Sequence, residues 1–587
     1  MKNGSVKLTP HQWIHILVCL LVVASFILLF GFYEPLVSPA ALHVIQIIAF
    51  IYFFCNHAAG FIRSKNKLSY ARRNWFQIPL LLALVLFFIL ASQRFFSDHP
   101  LDGILLVLSI YLIVQVVDSV CRFIVKLAAT GRNPMRTFVL SFIAFIIIGA
   151  LFLKLPTFHK CEQLSFLDAC FTTTSAVCVT GLIVKDTGSD FTVLGQFVIL
   201  TLMQLGGLGI IIFGAVFALL FGKAFSVQES VALQDLLSTE TVGRIKRMIG
   251  FIFAFTITIE AFGAAGLWGM WELESAQFEA SRRLFFSIFH SVSAFCNAGF
   301  SLFPDSFTAF KASPQIYAVV CPLIILGGLG FTVLYNISEI TACKIRNFFR
   351  SLFIPPTVFN KLPSGYTSLQ TKIAVWATIV LLAAGTAGYM IFACIFESCE
   401  ISSVKDAFFM SVTTRTAGFN TVETAQMSDA GKFFSIMLML IGGSPGSAAG
   451  GMKTVTLVVI ILAVVAAVTK KKEVEAFKRS VRMAIIGRAV TVVFFYITAY
   501  LIVVFGLMMT ERSSSFESLD LMFEAASALA TVGLSAGLTP ELSVSGKTLL
   551  IFTMLIGRLG PLTILSSLLL RFKTAKYNYP EEPLIIG

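Results

Sequence analysis

The sequence predicts an all-α polytopic membrane protein of four repeated span–short helix–strand–span units, preceded by about four extra N-terminal transmembrane helices. Three observations predict it. Of the 587 residues, 57% are hydrophobic and only 13% are charged, against about 25% charged in an average soluble domain. Apolar runs of about 20 residues, each long enough at ~1.5 Å per residue to cross ~30 Å of hydrocarbon, recur along the chain. One short glycine-bearing segment also returns four times at nearly constant spacing.

Twelve candidate spans follow in order. Four come early, near 12–32, 39–62, 75–92 and 101–126. Eight more lie near 137–155, 191–220, 245–270, 314–340, 370–396, 431–468, 486–509 and 546–571. The first follows Met1, Lys2 and Lys7, lacks a small-residue cleavage signature, and reads as a retained anchor. The formal charge of +13 is unevenly spread. The segment 470–488 holds Lys470, Lys471, Lys472, Lys478, Arg479, Arg482 and Arg488, and the connector after the second span holds Arg63, Lys65, Lys67, Arg72 and Arg73. Connectors of the alternate set lean acidic, with Glu397, Glu400, Glu511, Glu517 and Asp520. With both termini cytoplasmic, every strongly basic connector falls on the cytoplasmic side. The basic excess is therefore topological, and no nucleic-acid partner is expected. The eleven cysteines show no CxxC pair or zinc spacing. Cys161 with Cys170, and Cys394 with Cys399, fall on the predicted outer side, where a disulfide is left open.

The repeated segments are SAVCVTGL ending at Leu182, SAFCNAGF ending at Phe300, VTTRTAGF ending at Phe419 and SALATVGL ending at Leu534. Their glycines, Gly181, Gly299, Gly418 and Gly533, are 118, 119 and 115 residues apart. Serine stands six places earlier in three copies, as Ser175, Ser293 and Ser527. A second echo follows each glycine by 24 to 28 residues: Gly206-Gly207-Leu208-Gly209, Gly327-Gly328-Leu329-Gly330, Gly442-Gly443-Ser444-Pro445-Gly446 and Gly557-Arg558-Leu559-Gly560. Two linked signatures at one period divide the chain. The extension covers 1–130, repeat 1 covers 131–225, repeat 2 covers 226–345, repeat 3 with an intramembrane loop covers 346–470, and repeat 4 with a cytoplasmic tail covers 471–587.

The apolar stretch before each glycine, such as Leu284–Ala294 or Ala407–Val412, is too short to cross a bilayer and suits a re-entrant pore helix. Non-helical backbone survives at membrane depth only inside protein or along a watery cavity. Four such strands around one axis form a ring whose carbonyl oxygens can replace an ion's hydration shell. Glycine suits this because the strand needs dihedrals that a Cβ forbids, and pore-helix C-termini aimed at the axis add partial negative charge. Close helix packing would account for any one copy. Four evenly spaced copies, each between two spans, favour the ring.

The filter-like segments, the TTRTAGFN run at Thr413–Asn420 and the glycine-rich break at Gly442–Lys453 resemble the Trk/Ktr/HKT superfamily of K⁺ transporters, TrkH/KtrB-like pore-forming subunits above all. The resemblance covers roughly residues 135–575. It implies four pseudo-fourfold M1–pore helix–filter–M2 repeats that carry K⁺ into the cell across the plasma (inner) membrane, with both termini cytoplasmic. The filter would comprise Val179, Thr180 and Gly181; Asn297, Ala298 and Gly299; Thr416, Ala417 and Gly418; and Thr531, Val532 and Gly533. Glycine at all four aligned positions favours K⁺ over Na⁺ by the same resemblance. It also implies a homodimer bound to a cytosolic nucleotide-binding regulatory subunit of the TrkA/KtrA kind. The chain has no P-loop or GxGxxG motif, so nucleotide control would come from another chain, and no organic cofactor is expected here.

Charges inside the spans add a second layer. Arg558 stands alone within the last apolar span, and a charge at that depth is costly unless it faces a cavity or a partner. By resemblance it lies below the filter as an electrostatic barrier; the alternative is a salt bridge to Glu260 or Glu524. Gly442, Gly443, Gly446, Gly450 and Gly451 would form an intramembrane gate loop, with Lys453 drawn toward a carboxylate or the cytosolic face. Arg415, three residues before Gly418, is expected to point away from the axis and tie the strand to a pore-helix carbonyl or a carboxylate. Asp118 and Arg122 are the main charges of the extension, whose expected role is packing or assembly. An ion-coupled secondary transporter (Na⁺ or H⁺ symport) is the competing function, but those fold from inverted repeats, whereas each unit here keeps one orientation. An enzyme is not expected, since HExxH and paired intramembrane aspartates are missing.

Overall fold

The computed structural model describes residues 10–64, 66–67, 105, 107–120, 134–161, 163–210, 212–213, 215–216, 242–273, 280–353, 367–396, 401, 403–471 and 473–568. Apolar side chains with no polar interruption favour helix wherever backbone groups must be satisfied without water. In the extension this gives Pro10–Phe30, Pro39–Arg63 and Val107–Val120. The span expected at 75–92 lies outside the described residues. Val22, Ala49, Phe53, Leu108, Tyr111 and Leu112 form the shared core of the three described helices. Polar side chains pair within it: the His15 ring with Ser119 Oγ at 2.9 Å, and Gln46 Nε2 donating to Ser25 Oγ at 3.4 Å. The extension meets repeat 1 where Thr157 Oγ1 donates to the Phe30 carbonyl at 2.6 Å.

The four M1 helices are Pro134–Leu153, Val242–Leu267, Leu369–Phe396 and Met483–Thr510. The pore helices are Phe166–Val177, Ala280–Phe295, Val404–Thr413 and Ser518–Ala530. At 12, 16, 10 and 13 residues they are too short to cross a bilayer, and each delivers its chain to a filter strand. Ser165 and Ser403 start the first and third by accepting the N–H of Asp168 and Asp406.

Three of the M2 elements depart from expectation. The sequence reads as a break in repeat 3 alone, yet every M2 is broken. Val193–Leu208 ends at Gly209, Val544–Leu559 ends at Gly560 before Pro561–Leu568, and Cys321–Leu329 meets Phe331–Phe353 at Gly330 with a bend of 101°. In repeat 3, Asp429–Leu440 and Thr454–Val468 are separated by a loop. The break follows from packing. A Cβ on Gly206, Gly327 or Gly557 would lie 2.1, 2.0 or 2.0 Å from the carbonyl oxygen of Val177, Phe295 or Leu529, in the same repeat's pore helix. Each M2 is therefore pressed onto backbone at that depth and turns away three residues later, at a glycine with φ of +83°, +89° or +84°. Among the described residues one small sheet is present: Val474–Ala476 pairs antiparallel with Arg479–Val481 in the basic connector. Cys161 and Cys170 are both free thiols, and Cys399 lies outside the described residues.

Candidate ion pathway

All twelve residues expected in the filter are buried, and their backbones repeat one conformation. Val179, Asn297, Thr416 and Thr531 have φ of +56°, +57°, +74° and +52°, and Gly181, Gly299, Gly418 and Gly533 have +94°, +71°, +78° and +94°. The residues between them, Thr180, Ala298, Ala417 and Val532, have ordinary negative φ. A strand of one hand alternates its carbonyls from side to side. Changing hand at every residue turns successive carbonyls to the same side. Non-glycine residues reach the left-handed region at a cost of roughly 1–2 kcal/mol each, so four such sites in register mark a conformation the surroundings enforce.

The strands close on one another in a ring. A Cβ on Gly181 would sit 2.6 Å from the Ala298 oxygen, one on Gly299 2.8 Å from the Ala417 oxygen, one on Gly418 2.4 Å from the Val532 oxygen, and one on Gly533 2.2 Å from the Thr180 oxygen. Repeat 1 thus abuts 2, 2 abuts 3, 3 abuts 4 and 4 abuts 1, around a single axis. The aligned serines are struts between pore helix and strand. Ser175 and Ser527 accept the N–H of Gly181 and Gly533 at 3.0 Å, and Ser293 Oγ donates to the Phe300 carbonyl at 2.8 Å. Repeat 3, which lacks that serine, uses Thr413 instead, donating to the Phe419 carbonyl at 2.7 Å. Thr413 went unnoticed in the sequence because it is offset by one residue; the threonine run itself was the available signal. Thr180 and Thr531 hydroxyls are buried beside the ring with no partner among the described residues.

Beneath the ring lies the loop of repeat 3. Its two ends are stitched together, Gly442 N–H donating to the Met452 carbonyl at 2.9 Å and Thr454 N–H to Gly443 at 3.0 Å. Gly442 packs against Gly450 and Gly451 of the same loop, where the other repeats press their equivalent glycine onto a pore helix. The loop then reaches across. Ser444 N–H donates to Gly328 and Ala448 N–H to Gly327, while Phe331 N–H returns a bond to the Gly446 carbonyl, at 2.9, 3.2 and 2.9 Å. Gly450 lies against Thr531 and the Ala530 carbonyl of repeat 4. Gly446 and Gly451 take φ of +74° and +67°.

Arg558 joins this layer. Its guanidinium donates to the Ala448 carbonyl of the loop and to the Gly206 carbonyl of repeat 1, so it bridges two repeats from a third. The carboxylates considered as partners are engaged elsewhere: Glu260 with Gln204 at 3.3 Å, Glu524 with Ala536 N–H at 3.1 Å and Thr539 at 2.9 Å. Lys453 Nζ donates to the Ala449 carbonyl at 2.7 Å, inside the loop, and not to a carboxylate. A cavity of about 250 Å³ opens here, lined by residues of all four repeats, among them Gly207, Phe331, Gly446, Lys453 and Arg558. Arg415 is only 8% exposed and lies among Ile324, Gly328, Thr378 and Leu382, between repeat 2 M2 and repeat 3 M1. The tie to a carbonyl or carboxylate expected of it is not made; its Nε has no partner among the described residues.

Comparisons with known proteins agree with this architecture. A family profile described as TrkH, cation transport protein, matches residues 107–578. Ktr system potassium uptake protein B of Bacillus subtilis is 35% identical over 458 residues, 78% of this chain and 97% of its own. Potassium/sodium uptake protein NtpJ of Enterococcus hirae is 35% identical over 467 residues, again 78% and 97%. The crystal structure of the potassium transporter TrkH from Vibrio parahaemolyticus superposes with a TM-score of 0.57 at 18% identity, covering 85% of this chain and 98% of that one.

Proposed function

As this chain belongs to the TrkH family of cation transport proteins, a family of multi-pass membrane transporters and not of enzymes, we propose that it takes up K⁺ through one selective pore. The observation that carries the reading is the closed ring of Gly181, Gly299, Gly418 and Gly533, with carbonyls turned to one side of each strand. Oxygens fixed at that spacing can replace the hydration shell of a monovalent cation, and the unpartnered hydroxyls of Thr180 and Thr531 add two more. The relatives named for potassium uptake support K⁺ as the substrate. The relative named for potassium and sodium together keeps Na⁺ as a second permeant or coupled ion.

The gate in this reading is the loop of repeat 3 together with Arg558. A guanidinium beside the pathway repels a passing cation, and a loop held by hydrogen bonds to repeat 2 and by Arg558 can release and withdraw. The basic connector with its short hairpin, facing the cytosol of the plasma membrane as both termini do, is the surface offered to a nucleotide-binding regulatory subunit, on a homodimer of this chain.

Expression in cells deficient in K⁺ uptake should restore growth at limiting K⁺, and liposomes holding the purified chain should take up K⁺ tracer. Growth that is not restored, with liposomes that pass Na⁺ alone, would reverse the ion assignment. Nucleotide-responsive flux from the purified chain by itself would remove the regulatory subunit.

A further inference from the structure

Three of the four junctions between repeats carry the same ion pair. Asp168, Asp406 and Asp520 are each the third residue of a pore helix. Each meets a lysine of the preceding repeat: Lys547 and Lys432, near the start of their M2 helices, pair with Asp168 at 3.5 Å and Asp520 at 2.7 Å, and Lys311, in the turn that precedes M2, pairs with Asp406 at 3.2 Å. Repeat 4 reaches repeat 1, repeat 2 reaches repeat 3, and repeat 3 reaches repeat 4. Asp406 also accepts from Tyr317 Oη at 3.2 Å. These pairs are withdrawn from water to unequal degrees, with Lys311 keeping 33% of its side chain exposed. The Lys432 and Asp520 side chains are 7% and 15% exposed, against 56% and 59% for the Lys471–Glu475 pair in the connector.

The fourth junction, repeat 1 to repeat 2, is built differently. Gln196 is the fourth residue of its M2, as Lys432 and Lys547 are of theirs. Its Nε2 turns back to the Thr187 and Phe191 carbonyls of its own repeat, both at 3.1 Å. Phe286 stands 13 residues before Gly299, as Asp168 and Asp520 stand before Gly181 and Gly533. It packs on Trp271 and Phe303 at 6.1 and 5.4 Å between ring centroids. The contacts across this seam are of another kind: a Cβ on Gly188 would lie 2.1 Å from the Leu302 oxygen, Gln204 Nε2 donates to Glu260 at 3.3 Å, and Cys296 Sγ donates to Gln204 Oε1 at 3.4 Å.

A pore helix of about three turns is a rigid rod of roughly 15–20 Å. Its N-terminal end, where the helix dipole favours an aspartate, is the end the lysine holds; its C-terminal end carries the filter strand. We propose that Lys311–Asp406, Lys432–Asp520 and Lys547–Asp168 are positioning residues that fix the tilt of three pore helices and so set ion selectivity. The inference rests on the cation-pore reading above. Removing one partner strands the other as a buried charge, whereas exchanging the two keeps the tie.

The test measures K⁺ and Na⁺ flux in liposomes for full-length Lys432→Met, Asp520→Asn and the exchanged pair Lys432→Asp with Asp520→Lys. Each single change should lower K⁺ over Na⁺ discrimination by about tenfold, and the exchange should recover most of it, a coupling within the usual range for contacting charges. Lys432→Arg should stay near the wild type, a rescue that a need for bulk alone would not explain. If a single variant fails to fold, the exchanged pair and the neutral double Lys432→Met with Asp520→Asn carry the test. Folded variants with wild-type discrimination, or an exchange that recovers folding but not discrimination, would overturn the proposal. A wild-type protein that passes no cation would instead sink the pore reading beneath it.

Discussion

The ring and the layer beneath it are made from the same four repeats, yet only the ring keeps the fourfold pattern. In the ring, four strands with unlike side chains share one alternation of hand, since each abuts its neighbour's backbone within a Cβ's reach. One layer down, three repeats press M2 onto their own pore helix, and the fourth lets go. Gly442 packs on its own loop, and that freed loop crosses to repeats 2 and 4. Symmetry persists in the ring, where every copy constrains the next, and it is lost one layer down, where repeat 3 alone gives up the contact with its own pore helix. The selective layer and the movable gate proposed above would therefore both be built from a single motif.

The largest effects should come from the ring. A side chain at one of its glycines meets a neighbouring carbonyl, costing about 1–3 kcal/mol of overpacking on top of roughly 1–2 kcal/mol for an L-residue held at positive φ. Alanine should cut K⁺ tracer uptake most at Gly533, then Gly418, Gly181 and Gly299, in order of the 2.2, 2.4, 2.6 and 2.8 Å approaches. Gly181→Ser should also narrow K⁺ over Na⁺ discrimination, since it adds a hydroxyl ligand to a distorted ring. Equal tolerance at all four sites would remove them from the pathway.

The movable layer should respond in the opposite direction. Shortening Gly443–Gly450 should raise flux, Arg558→Ala should raise it less, and the two together should add little, since both act on one barrier. Tracer uptake at matched protein density reads this out. An Arg558→Ala protein that unfolds, or one whose flux is unchanged, would make the guanidinium a brace between Ala448 and Gly206 and nothing more.

The smallest effects test the packing that separates the two layers. Gly327→Ala, aimed at the Phe295 carbonyl, should destabilise by about 1–3 kcal/mol in thermal unfolding. Gly250→Ala, with nothing within 4 Å of the added methyl, should be neutral or gain up to ~1 kcal/mol of helix propensity. Similar losses at both sites would mean that the M2 breaks do not depend on contact with the pore helix.

The ring was legible because spacing is a property of the sequence: glycines 118, 119 and 115 residues apart mark equivalent places whatever surrounds them. The glycine-rich loop was legible as a break, since six small or helix-breaking residues run from Gly442 to Ser447. Its docking was not. The partners Gly327, Gly328 and Phe331 offer backbone atoms, which leave no trace in residue type. The breaks at Gly209, Gly330 and Gly560 were hidden for a related reason, because a glycine in an apolar run reads equally as packing. Arg415 shows the opposite limit. Its burial and its direction away from the axis could be reasoned from cost, but among the described residues its Nε finds no partner of the kind that cost demands.

One chain supplies all four strands of the ring, and the residue before each glycine is already of three kinds: Thr180, Ala298 and Ala417, and Val532. In an assembly of four identical chains, any substitution is imposed four times at once. Here it alters one sector directly and leaves the residues of the other three unchanged. Drift in the gene can therefore proceed a quarter at a time, and the ion preference proposed for the ring becomes adjustable sector by sector.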